Sequence, residues 1–92
     1  MKWCKEKYKL RMDCGSYEVE GSVCGDWGID KRENQYYILT HVPTGCRVES
    51  ARTMKFLKDL VATPEFQNFD GKNVEPLKVA IQRLRNEFGW KA

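Results

Sequence analysis

Trp3-Cys4-Lys5-Glu6-Lys7-Tyr8-Lys9-Leu10-Arg11-Met12 alternates with a period of two. Lys5, Lys7, Lys9 and Arg11 fall on one side of an extended chain and Tyr8, Leu10 and Met12 on the other, the pattern of a half-buried β-strand. Tyr17, Val19 and Val23 alternate in the same way with Glu18, Glu20, Ser22 and Cys24, and Asp13-Cys14-Gly15-Ser16 between the two runs supplies turn chemistry. The two runs therefore read as a hairpin. Taking Cys14-Gly15 as the loop pairs Asp13 with Ser16, Arg11 with Glu18, Lys9 with Glu20, Met12 with Tyr17 and Leu10 with Val19. Apolar meets apolar on one face and opposite charges meet on the other, each pair contributing about 0.2–1 kcal/mol. In this register the glutamates largely answer the basic stripe.

Outward from the hairpin, Trp27 and Ile29 alternate with Asp26, Gly28 and Asp30 in a third strand over 27–31, followed by a polar loop at Arg32-Glu33-Asn34-Gln35. Tyr36-Tyr37-Ile38-Leu39-Thr40-His41-Val42 is dense in β-branched and aromatic residues, and Pro43-Thr44-Gly45 turns it into a short fifth strand at Cys46-Arg47-Val48. Ser50 is the expected N-cap of a helix over about 51–62, with Met54, Leu57, Leu60 and Val61 as its apolar stripe, Phe56 off-centre and Thr63-Pro64 as its stop. A connector over 65–72 is anchored by Phe66 and Phe69. A second helix over 74–88 carries Pro76 in its first turn, Leu77, Ala80, Ile81, Leu84 and Phe88 at helical spacing, and Gly89 at its end. Strands precede helices, so the fold class is α+β: one domain over 1–92, an antiparallel sheet of four to five strands within 3–48, and two helices packed on one face. The apolar strand faces and the helix stripes are expected to share one core, with the charged sheet face wet.

A chain of 92 residues, 41% hydrophobic and 32% charged, suits one small water-soluble domain. No apolar run approaches the roughly 20 residues that span a bilayer. Met1 to Leu10 is charged throughout, unlike a signal peptide, so a cytoplasmic protein without membrane contact is expected. In a reducing compartment Cys4, Cys14, Cys24 and Cys46 are free thiols by default, and they lack the paired C-x-x-C spacing of a zinc site. The net charge of +3 favours a polyanion only weakly.

Side chains with chemical potential are few. His41 is the only histidine, with Thr40 and Cys46 as conceivable nucleophiles, but no nucleophile motif surrounds them. A strand-end histidine bonded to its turn is the expectation. Asp26 and Asp30 would face one way on a strand, yet nothing completes a carboxylate site and both read as solvated. The dispersed Gly15, Gly21, Gly25 and Gly28 form no phosphate cradle. No catalytic residue, metal ligand or cofactor is therefore assigned. For nucleic acid the chain offers Lys72, Lys78, Gln82, Arg83 and Arg85 at the last helix and Lys5, Lys7 and Lys9 on the first strand, with Tyr36 able to stack a base. Glu75, an Arg83–Glu87 i,i+4 pair, Glu18 and Glu20 dilute that charge. Trp3 and Trp90 near the ends either mark an interface or fold back over the sheet edge.

Trp27-Gly28-Ile29 followed by Tyr37-Ile38-Leu39-Thr40-His41-Val42-Pro43-Thr44-Gly45 resembles small bacteriophage and prophage accessory proteins, in which a strand ending in Thr-His-x-Pro-Thr-Gly precedes an amphipathic helix. The resemblance covers about the middle third and brings no catalytic residues. It implies a compact accessory protein similar in character to anti-CRISPR and other anti-defence inhibitors, which act by occupying a host protein's surface. The expectation is a non-catalytic inhibitor or adaptor acting on a host protein or ribonucleoprotein complex through Trp3, Lys5, Lys7, Lys9, Arg11, Glu18, Glu20, Tyr36 and Trp90. The alternative is a nucleic-acid-binding module using Lys72, Lys78, Arg83 and Arg85.

Overall fold

The computed structural model describes residues 2–12, 15–32 and 35–89 of the 92-residue chain. Strands β1 (Cys4–Met12), β2 (Gly15–Cys24), β3 (Trp27–Lys31), β4 (Tyr37–His41) and β5 (Cys46–Ala51) form one antiparallel sheet in sequence order. Helices α1 (Met54–Val61), α2 (Pro64–Gln67) and α3 (Glu75–Phe88) follow. The α+β class and the strands-then-helices order agree with the sequence reading.

β3 and β4 are buried on both faces. Trp27 pairs with His41 and Ile29 with Leu39, so these four point to one side. There they meet Phe56, Leu57, Leu60, Val61, Phe66, Leu77, Ala80 and Leu84 of the helices in one apolar core. Phe56 is fully buried rather than off-centre. Its ring meets Phe88 edge-on and lies beneath the Arg85 guanidinium, so its position on the stripe is set by α3.

Gly28 and Thr40, and Asp30 and Ile38, point to the opposite side, together with Tyr8 and Leu10 of β1. The two-sided burial corrects the expectation of one core and a wet reverse face. Tyr8, Leu10, Ile38, Asp30 and Thr40 are all buried, although none of them faces a helix. They are covered because the sheet curls: the Arg11 N–H donates to the Gly45 carbonyl at 2.8 Å and draws the end of β1 onto the β4–β5 turn. The resulting concave face holds a cleft of about 800 Å³. Lys5, Lys7, Lys9 and Arg11 lie on the helix side of β1, beyond the part of the sheet that the helices cover.

The hairpin register also differs by two residues from the expected one. Arg11 pairs with Ser16, Lys9 with Glu18, Lys7 with Glu20, Leu10 with Tyr17 and Tyr8 with Val19, while Met12 pairs with Gly15. A shift of two preserves the faces, so alternation alone does not distinguish the registers. The fit of Tyr8 does. Its ring crosses β2 at Gly21 to lie on Gly28 of β3, where a Cβ would come within 2.7 Å of it, and its hydroxyl donates to Asp30 Oδ1 at 3.2 Å. The expected turn residues Asp13 and Cys14 lie outside the described residues.

The start of α1 moves for a local reason. β5 continues past Val48 to Ala51, with Tyr37 opposite Ala51 and Ile38 opposite Ser50. Ser50 is therefore a strand residue, and Thr53 caps the helix by accepting from the Phe56 N–H. The connector over 65–72 contains α2: Pro64 stands in its first turn, and the Thr63 hydroxyl accepts from Phe66 N while donating to Leu60 O. Gly89 ends α3 with φ +61°, as its position suggested.

Gly28→Ala is expected to force the Tyr8 ring aside and to cost about 1–3 kcal/mol of unfolding free energy, as overpacking a filled site does. Val79→Ala, at a site 59% exposed, should change it by less than about 0.5 kcal/mol. Urea unfolding of the two variants checks the contrast.

Candidate functional site

The β4–β5 turn, residues 42–45, is built around the Thr44 side chain. Its hydroxyl lies 3.0 Å from His41 Nδ1, donates to the His41 carbonyl at 3.2 Å and accepts from the Cys46 N–H at 3.3 Å. With the hydroxyl proton on the carbonyl, Nδ1 is the donor to Thr44 and Nε2 keeps its lone pair. The Gly45 N–H donates to the His41 carbonyl at 2.8 Å, and Gly45 adopts φ +72°, which makes the tight return to β5 possible. His41 is thus a strand-end histidine bonded to its turn, as anticipated.

The imidazole is packed among rings, 5.1 Å from Trp27 and edge-on to Phe69 at 4.9 Å between centroids. Burial pushes its pKa below the ordinary value, against a weaker opposing pull from the Asp26 carboxylate. The Cys46 thiol donates to the Thr44 carbonyl, at 3.8 Å, and not to the imidazole. The nucleophile–base bond of a thiol enzyme is thus not formed here.

Beside the turn lies a groove of about 490 Å³ between β5 and the first half of α3. Val48, Phe69, Val74, Leu77 and Ile81 give it apolar walls, and Arg11, Arg47 and Lys78 are the ionic side chains along it. No carboxylate lines it among the described residues. Lys78 shares its charge with exposed Glu75 at 3.4 Å, whereas Arg11 and Arg47 have no ion pair among the described residues. Val74, 45% exposed, extends the apolar wall to the surface. Arg11 reaches the groove because the Arg11–Gly45 bond brings β1 against the turn, and the exposed Lys7 and Lys9 continue the row of cations along β1.

The concave cleft on the other side shares Arg11 and Arg47 with the groove but adds the carboxylates of Glu20 and Asp30, so its lining carries both signs of charge. Asp30, expected to be solvated, is 5% exposed and lies between the Tyr8 hydroxyl and Arg32, whose Nε is 2.5 Å from Oδ2. Arg32 also donates to the Tyr17 hydroxyl at 2.9 Å. Burial, and then Asp30, raises the Tyr8 pKa; burial works against the Arg32 charge, but Asp30 and Tyr17 raise its pKa on balance. The carboxylate is therefore a structural tie, and Asp26 stands apart and exposed at the turn before β3. Thr40 Oγ1, buried on the same face, has no hydrogen-bond partner among the described residues.

The remaining candidates divide between solvent and the fold. Trp3 is half-buried against the main core, with Lys58 5.7 Å from its ring centroid, which agrees with folding back over the sheet. Trp90 lies outside the described residues. Lys5 is answered by Glu20 at 3.6 Å, and Glu18 is exposed. Tyr36 is exposed at the opposite end of β4 from the groove. Lys72 is exposed and follows Asp70, whose carboxylate accepts from the Lys72 and Asn73 N–H groups.

The α3 arginines are tied into the fold. Arg83 makes a two-pronged bond to Glu65 of α2 at 2.7 and 2.9 Å in place of the expected Glu87 pair, and holds that carboxyl down to about 2. Arg85 reaches Glu49 and the Ser50 carbonyl of β5. Arg47, which the sequence did not single out, enters the site through the curl of the sheet, for which no local pattern signals.

No helix among the described residues is long and apolar enough to cross a membrane. No family model matches the sequence, and neither the curated proteins nor the solved structures give a match.

His41 ties the site to pH. The fold disfavours the imidazolium, so the unfolded chain binds more protons below its ordinary value of 6.5. The stability that neutral His41 preserves is complete above 6.5 and declines as pH falls through the lowered folded value. His41→Gln is therefore expected to flatten the loss of stability between about pH 6.5 and about pH 5, the window above most carboxylates. Urea midpoints across that window read the difference in slope.

Proposed function

We propose that this protein is a non-catalytic binding module that docks an acidic, partly apolar segment of another protein along β1 and the groove beside the β4–β5 turn. The observation that carries the reading is the composition of that groove: apolar walls with Arg11, Arg47 and Lys78 along them and no carboxylate among the described lining residues. Burying an apolar side chain in the groove while placing carboxylates against the arginines uses both features. A nucleic-acid backbone would use the charge alone. Arg83 and Arg85, on which a helix-borne nucleic-acid interface would depend, are already engaged by Glu65 and Glu49. In the setting suggested by the resemblance to phage accessory proteins, the protein serves as an inhibitor or adaptor on a host complex that handles nucleic acid.

A labelled peptide with glutamates beside leucine and phenylalanine, and an oligothymidine of matched charge, form the test by fluorescence anisotropy. The peptide is expected to bind more tightly than the oligonucleotide and to weaken with added salt. A Lys9→Glu/Arg11→Glu/Arg47→Glu variant should lose at least about tenfold in affinity, equivalent to about 1.4 kcal/mol. Arg52→Glu, an exposed cation away from the groove, should leave it unchanged. Tighter binding of the oligonucleotide, or equal damage from Arg52→Glu, overturns the reading.

A further inference from the structure

The sheet has two edges, and they are covered differently. On β5, Arg85 donates to the Ser50 carbonyl and pairs with Glu49, while α3 and β5 together wall the groove. On β1, the Arg11 N–H turns away from β2 to reach Gly45. In an antiparallel ladder such outward groups recur at every second residue. The N–H and C=O groups of Lys5, Lys7 and Lys9 therefore share the outward direction. Beyond Arg11, no backbone hydrogen bond outside the β1–β2 ladder reaches this edge among the described residues. The Lys9 carbonyl also faces the turn, 3.3 Å from where a Cβ on Gly45 would stand, so the open edge runs from Lys5 to the Lys9 N–H, with three exposed lysines on one face.

Lysines on an edge strand ordinarily prevent unwanted pairing, and here they also determine which strand is admitted. A second copy of β1 laid antiparallel would set lysine against lysine, which is unfavourable for directly opposed like charges. A strand with carboxylates at alternate positions reverses the sign at each rung and supplies the missing hydrogen bonds.

Resting on the acidic-partner reading above, we infer that the partner segment binds by strand addition to the β1 edge, with acidic side chains at alternate positions facing Lys5, Lys7 and Lys9. Backbone groups then provide the attachment, and the alternation provides the selectivity. The closed end at Arg11–Gly45 limits the added strand to the Lys5–Lys9 stretch and directs its continuation toward the groove beside the turn.

The test uses the full chain and a peptide of roughly seven residues alternating glutamate and threonine, long enough for this stretch at about 3.4 Å per residue. Two controls carry the same charge: the peptide N-methylated at its edge-facing amides, and a reordered peptide with glutamates on both faces. The parent peptide is expected to slow hydrogen exchange at the Lys5, Lys7 and Lys9 amides. It should bind at least about tenfold more tightly than either control, a difference of about 1.4 kcal/mol. A Lys7→Glu/Lys9→Glu variant should lose the binding. If all three peptides bind alike, strand addition is overturned while the acidic-partner reading survives. If none binds even at low salt, while the leucine- and phenylalanine-bearing peptide still does, the edge is excluded and the groove alone is the site. If that peptide fails as well, both conclusions fall together.

Discussion

The position of one aromatic ring organises the sheet. Tyr8 leaves β1, crosses β2 at Gly21 and rests on Gly28 of β3, a path open only because neither glycine carries a side chain. Its hydroxyl meets Asp30, which Arg32 neutralises and Tyr17 helps to hold in place through that arginine. A ring spanning three strands on one face favours curvature toward that face. The same curvature carries Arg11 to Gly45 and gives the chain a second buried layer beneath the sheet. A charged pair in that layer is tolerated because Asp30 is bonded on both oxygens, by Tyr8 and by Arg32.

From this curl follows the arrangement of charge. Bringing the end of β1 against the β4–β5 turn places Arg11 beside Arg47, two cations far apart in sequence and without carboxylate partners among the described residues. On the opposite flank the helices are fastened by ion pairs, Arg83 to Glu65 and Arg85 to Glu49. Two populations of basic residues result. Arg83 and Arg85 of α3 hold α2 and β5 in position, and Arg11 of β1 and Arg47 of β5 remain turned outward. Net charge does not distinguish them; geometry does.

Where local pattern decides the structure, the sequence was readable. Alternation located β1, β2 and β3, the aromatic and β-branched density located β4, and helical spacing with Gly89 located α3. His41 bonding to its own turn was legible because Pro43-Thr44-Gly45 is a local signal. What escaped depends on contacts between distant segments. Two hairpin registers that differ by two residues have the same alternation, and only the seat of Tyr8 on Gly28 separates them. Ser50 resembles an N-cap until the pairing of β5 with β4 claims it for the sheet. Asp30 resembles a solvated strand residue until Tyr8 and Arg32 cover it, and Arg47 becomes part of the site only once the sheet has curled.

The single bond between Arg11 and Gly45 also gives the domain a mechanical direction. Tension on the amino-terminal end of β1 falls first on the contact of Trp3 with the core, then on the Cys4–Val23 rung, and passes along the ladder one rung at a time, so the strand peels. The Gly45 attachment, at the far end, is the last to carry the load. Tension on the carboxyl-terminal side must instead act on α3 against the Arg83 and Arg85 ties and the Phe88 contact with Phe56 together. The two ends of this chain therefore differ in compliance: one yields gradually, and the other resists until several contacts break at once.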